Sequence, residues 1–319
     1  MSTSSIPQFT ILAQQVTIYL GLFILVIDFF GGILNIIVFL SPQTFRQNSC
    51  SFYLTAMSFV NITYLTNSLP THVFIFGFGI DLTGSALFYC KIRFFLIELW
   101  LLTSFTCMCF ATVDQFLATS FSPFWHRWNH AKVTRCIVIG TILFWILHGI
   151  PFVIYYDLIP SPLNINQTIC AETNITFQQY VTCGYICILM GALPLIVMVL
   201  FGLLAYYNVR NLSYRTVPLV RHELVKQLTQ MVLIQVIHNV FVLTPFVILT
   251  LIVVTYQYNE PISSFQMLAI DIHNFHFAVS RQDISYYIYF YFNSYMFESI
   301  LYIHVCIKTI SSTVYSCIL

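Results

Sequence analysis

An all-α membrane protein, a seven-transmembrane helix bundle with its N-terminus outside, is the fold class this sequence predicts. Three observations predict it. Only 7% of the 319 residues are charged while 59% are hydrophobic. A soluble domain carries about 25% charged residues, so lipid must cover apolar surface that an interior alone cannot absorb. Seven stretches approach the roughly 20 mostly apolar residues a helix needs to cross the hydrocarbon. The basic residues gather on one side of those stretches.

A formal net charge of +1 provides no clustered basic surface, so no nucleic acid is expected as a partner. The lipid bilayer is. Aromatics reach 17%, which suits helix faces and interfacial belts in a bilayer. One membrane domain fills residues 1–319. The first apolar stretch, from Thr17 to Leu40, is too long for the apolar region of a cleaved signal peptide and reads as a retained helix.

The predicted spans cover 17–40, 52–76, 90–119, 136–156, 180–207, 228–256 and 283–305. The last has the most diffuse polar boundary. With the N-terminus outside, the inner segments hold Arg46, Arg127, Lys132, Arg135, Arg210, Arg215, Arg221, Lys226 and Lys308, and the outer ones hold Lys91, Arg93 and Arg281. This asymmetry sets the orientation. Two glycosylation sequons, Asn166-Gln167-Thr168 and Asn174-Ile175-Thr176, share the outer loop near 157–179. A third, at Asn211, falls inside and should stay bare.

No internal repeat and no matched pair of Gly/Pro-broken helices points to a transporter or channel. No converging nucleophile or metal set points to an enzyme. His126 and His130, and His273 and His276, are close in sequence but lack a Cys or carboxylate to complete a metal site.

The spans carry a series of markers. Gly32-Ile33-Leu34-Asn35 lies in the first, Asn61 and Pro70 in the second, and Cys90 and Asp114-Gln115-Phe116 in the third. Trp145 lies in the fourth, Pro194 in the fifth, Pro245 in the sixth and Tyr302 in the seventh. In this order the chain resembles the rhodopsin-like G-protein-coupled receptors, over essentially its whole length. The resemblance implies a multi-pass receptor of the plasma membrane. Such a receptor transduces an extracellular ligand, a peptide or other small messenger, to a heterotrimeric G protein. It also implies a disulfide between Cys90 and Cys170, on the side where disulfides form; Cys183 is the competitor for Cys170.

The departures from that family are specific. Gln115 stands where the family has Arg, so no resting ionic lock can form. Constitutive signalling, weak coupling and no coupling, as in a decoy-like relative, all stay open. Leu243 takes the place of the family's Trp before Pro245. Glu298-Ser299-Ile300-Leu301-Tyr302 aligns with Asn-Pro-x-x-Tyr only at Tyr302, and a rival register starts at Asn293.

Ionisable groups at membrane depth are functional candidates by default: Asp28, Glu98, Asp114, His148, His238, Glu298 and His304. Glu98 lies at the depth of the family's ligand pocket, with Ile97 before it at the aminergic position and Leu243 on the sixth span. An amine ligand is disfavoured, whereas Glu98 could meet a cationic peptide side chain. The alternative is a pair between Glu98 and Arg93 on one helix. The seventh span has no Lys to hold retinal. In the family, Asp, Ser and Asn or Asp from three spans bind sodium. Here Asn61, Ser104 and Glu298 would supply the oxygens a hard cation wants, with Asn35 as polar glue across helices. A protonated Glu298 hydrogen-bonded to Asn61 is the alternative. No other cofactor is implied.

Overall fold

The computed structural model describes residues 6–40, 48–80, 83–120, 131–160, 168–212 and 228–248, apart from 242, 245 and 246. The apolar run Ile6–Leu40 forms α1. Asn48 starts α2 (Ser49–His72) by accepting the Cys50 N–H at 3.1 Å on its side chain. Pro70 has no N–H to give the helix, and the chain just beyond it, Val73–Gly77, relaxes into a π-helical turn. Gly79 then reverses the chain at φ +70°, a conformation that favours glycine.

The third helix, α3, is Leu87–Thr119, and α4 is Ala131–Tyr155. Next come β1 (Tyr156–Pro160) and β2 (Thr168–Glu172), an antiparallel pair in which Leu158 faces Cys170. Asn174 caps α5 (Ile175–Gln179) by accepting the N–H groups of Thr176 and Phe177. The helix continues with π-type bonding over Tyr180–Ala192 and returns to α6 (Leu193–Leu212). Leu193, just before Pro194, donates its N–H to the Ile188 carbonyl five residues back. A further apolar helix, α7, covers Leu228–Phe241.

Among the described residues, four helices are long and apolar enough to cross a membrane: Thr17–Leu40, Leu87–Thr119, Lys132–Tyr155 and Ile175–Arg210. The protein is a mostly helical, membrane-embedded one. Its surface supports this directly, because Tyr19, Leu147, Ile196 and Leu203 are each at least 64% exposed; lipid is the solvent that accepts such a surface. Hydroxyls inside the helices return to their own backbone, as Thr63 does to the Phe59 carbonyl and Thr112 to that of Met108.

Several expected boundaries move. The first helix begins at Ile6 rather than 17, the second at Ser49 rather than 52, and the fifth at Ile175 rather than 180. The chain is mostly helical, as expected of an all-α membrane protein, with a small two-stranded hairpin in a stretch read from sequence as loop. Two five-residue strands give too short a pattern to stand out. The seventh predicted span lies outside the described residues.

The helix α3 sits at the centre of the packing. It lies against α2, α4 and α6, while α1 packs on α2 and the turn after it. Consecutive α3 residues from Glu98 to Phe105 are buried, Trp100 only in part. Gly32 lets α1 approach α2 closely: a Cβ there would fall 2.5 Å from the Ile62 side chain. That explains the Gly of Gly32-Ile33-Leu34-Asn35. Asn35 is buried on the same helix.

Candidate functional site

Residues of α3 make contacts to other elements at four levels along its length. At the hairpin end, Cys90 is bonded to Cys170 of β2, with the Cα atoms 5.7 Å apart. The hairpin is held there by further bonds. The Tyr155 carbonyl at the end of α4 accepts both the N–H and the hydroxyl of Thr173, and the Thr168 hydroxyl donates to the Gly84 carbonyl at 2.6 Å. Lys91 of α3 lies 3.8 Å from Asp157 of β1. Cys183 is a free thiol.

Two turns further along α3, Glu98 is wholly buried. Its Oε1 lies 2.6 Å from Nδ1 of His148 on α4, and the other ring nitrogen of His148 is hydrogen-bonded to the Tyr180 hydroxyl. Glu98 therefore takes His148 as its hydrogen-bonding partner, in place of the suggested Arg93. Residues five apart on a helix do not face one another, whereas those three or four apart do. Gly149 makes the approach of α4 feasible, since a Cβ there would stand 2.7 Å from Glu98 Oε2 and from the Phe95 ring. Trp145 packs edge-on to His148, with ring centroids 5.3 Å apart, and its indole N–H donates to the Thr106 hydroxyl at 3.1 Å.

At mid-depth, the Ser104 hydroxyl donates to Asn61 Oδ1 at 2.6 Å, joining α3 to α2. The structure thus brings together two of the three residues named for a sodium or polar site. Glu298 lies outside the described residues, as do Tyr302 and Asn166. Ile97 is partly buried against the core, and Leu243 is fully buried within it.

At the other end of α3, Gln115 is buried. Its side-chain oxygen accepts the Thr229 hydroxyl of α7 at 2.8 Å, and the same side chain bonds the Cys50 thiol of α2. Asp114 receives a backbone hydrogen bond from Cys50, and Phe116 packs on Phe201 of α6 with centroids 5.5 Å apart. The residues Asp114, Gln115 and Phe116 therefore touch three different helices. Asn174, the described sequon residue, is exposed beside the hairpin.

Sequence reasoning did not find Tyr180 or Thr229, and it singled out His148 without its partner. One signal was available. Trp145, His148 and Phe152 are spaced three and four apart, so they share one face of α4, and Trp145 was already a marker of the fourth span. No protein-family model matches the chain, and no curated protein matches it.

Proposed function

We propose that the chain is a seven-span receptor of the plasma membrane that passes the binding of an extracellular ligand to a cytoplasmic G protein. In this reading the hairpin end is outside and the Gln115 end is inside. The observation that carries it is the Gln115–Thr229 hydrogen bond, which ties the inner end of α3 to α7. A signal requires a cleft to open between these helices. A single neutral hydrogen bond is a weaker closure than an ion pair, because an interhelical bond in a bilayer is worth only about 1 kcal/mol.

The Cys90–Cys170 bond supports the same reading from the other end, since it fixes the hairpin to the first turn of α3. Ligand binding beneath the hairpin would bias the packing of α3 against its neighbours, and the equilibrium at Gln115 would follow. Basic residues in the inner loops, Arg215, Arg221 and Lys226 among them, would meet the G protein or the anionic leaflet.

The test is guanine-nucleotide exchange on heterotrimeric G proteins in membranes that hold the chain. The expected result is exchange above that of empty membranes, changed by Gln115→Arg. Equal, background exchange for both forms would overturn coupling and favour the decoy-like reading, which the absence of charge at Gln115 motivates.

A further inference from the structure

The contact among Glu98, His148 and Tyr180 differs from the other polar contacts described above. It joins three separate segments, α3, α4 and the π-helical stretch Tyr180–Ala192, through ionisable groups alone. One end of this chain of bonds is sealed and the other is open. Glu98 Oε2 is buried and has no hydrogen-bond partner among the described residues, with Gly149 and the Phe95 ring against it. Tyr180, at the far end, is 38% exposed.

We propose that Glu98, His148 and Tyr180 form a proton-binding site that docks α4 and the fifth span onto α3 while it holds one proton. Charge balance carries the proposal. With one proton between carboxyl and imidazole, the site is neutral overall, either as carboxylate and imidazolium or as acid and neutral ring. In both forms the Glu98–His148 bond is satisfied and Nε2–H donates to the Tyr180 oxygen. Removing that proton leaves a net negative charge in a buried place, which is expensive. Adding a second would put it on Oε2, which faces no acceptor, and would leave a net positive charge.

Among the described residues, neighbouring charges do not supply the missing balance. The electrostatic partner of Glu98 is His148, and that of Tyr180 is Glu98. Arg93, on α3 itself, acts on Tyr64 and His72 of α2. On the hairpin, Asp157 is engaged by Lys91, and Glu172 accepts the Tyr156 hydroxyl. The aromatic rings of Trp145, Phe152 and Tyr180 pack around the imidazole without offering a counter-charge.

The sign of the pH effect follows from counting protons. In an undocked state that lets both side chains reach water, a carboxyl gives up its proton near pH 4.3 and an imidazole near pH 6.5, taking about those ordinary values. Between those points both states hold one proton, so stability should be level. Above about pH 6.5 the undocked state holds none while the docked site keeps one. Docking then weakens as pH rises, about tenfold in the unfolding constant per pH unit, until the site releases its proton.

The test is the thermal unfolding midpoint of the full-length protein in detergent micelles as a function of pH, for wild type and two variants. Wild type is expected to be level between about pH 4.3 and 6.5 and to decline above. Glu98→Gln removes the carboxyl that shares the proton, so the decline above about pH 6.5 should be lost. His148→Gln should begin its decline about two pH units earlier than wild type, near the ordinary carboxyl value. Either variant suffices if the other does not fold, and Tyr180→Phe, which removes one hydroxyl, should keep the wild-type shape at a lower midpoint. Parallel profiles for wild type and either charge variant would overturn the proposal.

Discussion

The bond between Cys90 and Cys170 should be the largest single contribution to stability that one substitution can remove. The two residues are 80 apart in sequence. For a chain free over that whole length, the loop-closure relation gives about 4.5 kcal/mol at 25 °C. The unfolded reference in a bilayer is less free, because the rest of α3 and all of α4 remain membrane-inserted helices. Only roughly 25 residues of connecting chain then gain freedom, and the same relation gives about 3.5 kcal/mol. The midpoint of the Cys90→Ser/Cys170→Ser double variant should accordingly fall by on the order of 5 °C. Replacing both cysteines avoids a stray thiol. Cys183→Ser is the control and should leave the midpoint nearly unchanged. Peptide mapping under non-reducing conditions supplies the assay of pairing, and tryptophan fluorescence on heating supplies the midpoint. A Cys170 found free or joined to Cys183, or a double variant as stable as wild type, would refute the reasoning.

Three further outcomes can be checked on the same protein. Thr229→Val keeps the side chain's shape but removes the donor to Gln115, and at about 1 kcal/mol it should raise basal nucleotide exchange roughly fivefold; unchanged exchange at equal expression would count against a closure at that contact. Gly149→Ala should cost about 1–3 kcal/mol by overpacking and lower the thermal midpoint, whereas Gly140→Ala, with nothing within 4 Å of the added carbon, should not. Asn174 should carry a glycan in a mammalian or insect host and Asn211 should not, as read from the mobility of Asn174→Gln and Asn211→Gln before and after glycosidase treatment.

The helices were legible because their cause is local. A run such as Thr17–Leu40 shows its length and apolarity in the sequence itself, and its placement in the structure follows. Glu98, Ser104 and Gln115 could be marked for the same reason, since a polar residue in an apolar run is visible without knowing its partner. The partners were harder. His148 lies 50 residues from Glu98, and Thr229 lies 114 from Gln115; nothing local joins them. The pairing of Glu98 depends on Gly149, whose missing side chain lets two helices close in. The hairpin escaped because its two strands are short and Cys170, at the centre of the second, was weighed only as a thiol.

The proposed receptor crosses the membrane an odd number of times, with the hairpin outside. The sidedness of the two chain ends in intact cells tests this most directly. With an epitope added before Met1 and a different one after Leu319, the first should bind antibody without permeabilisation and the second only after it. Finding both epitopes on the same side would mean an even number of spans, and a receptor of the proposed kind would be contradicted.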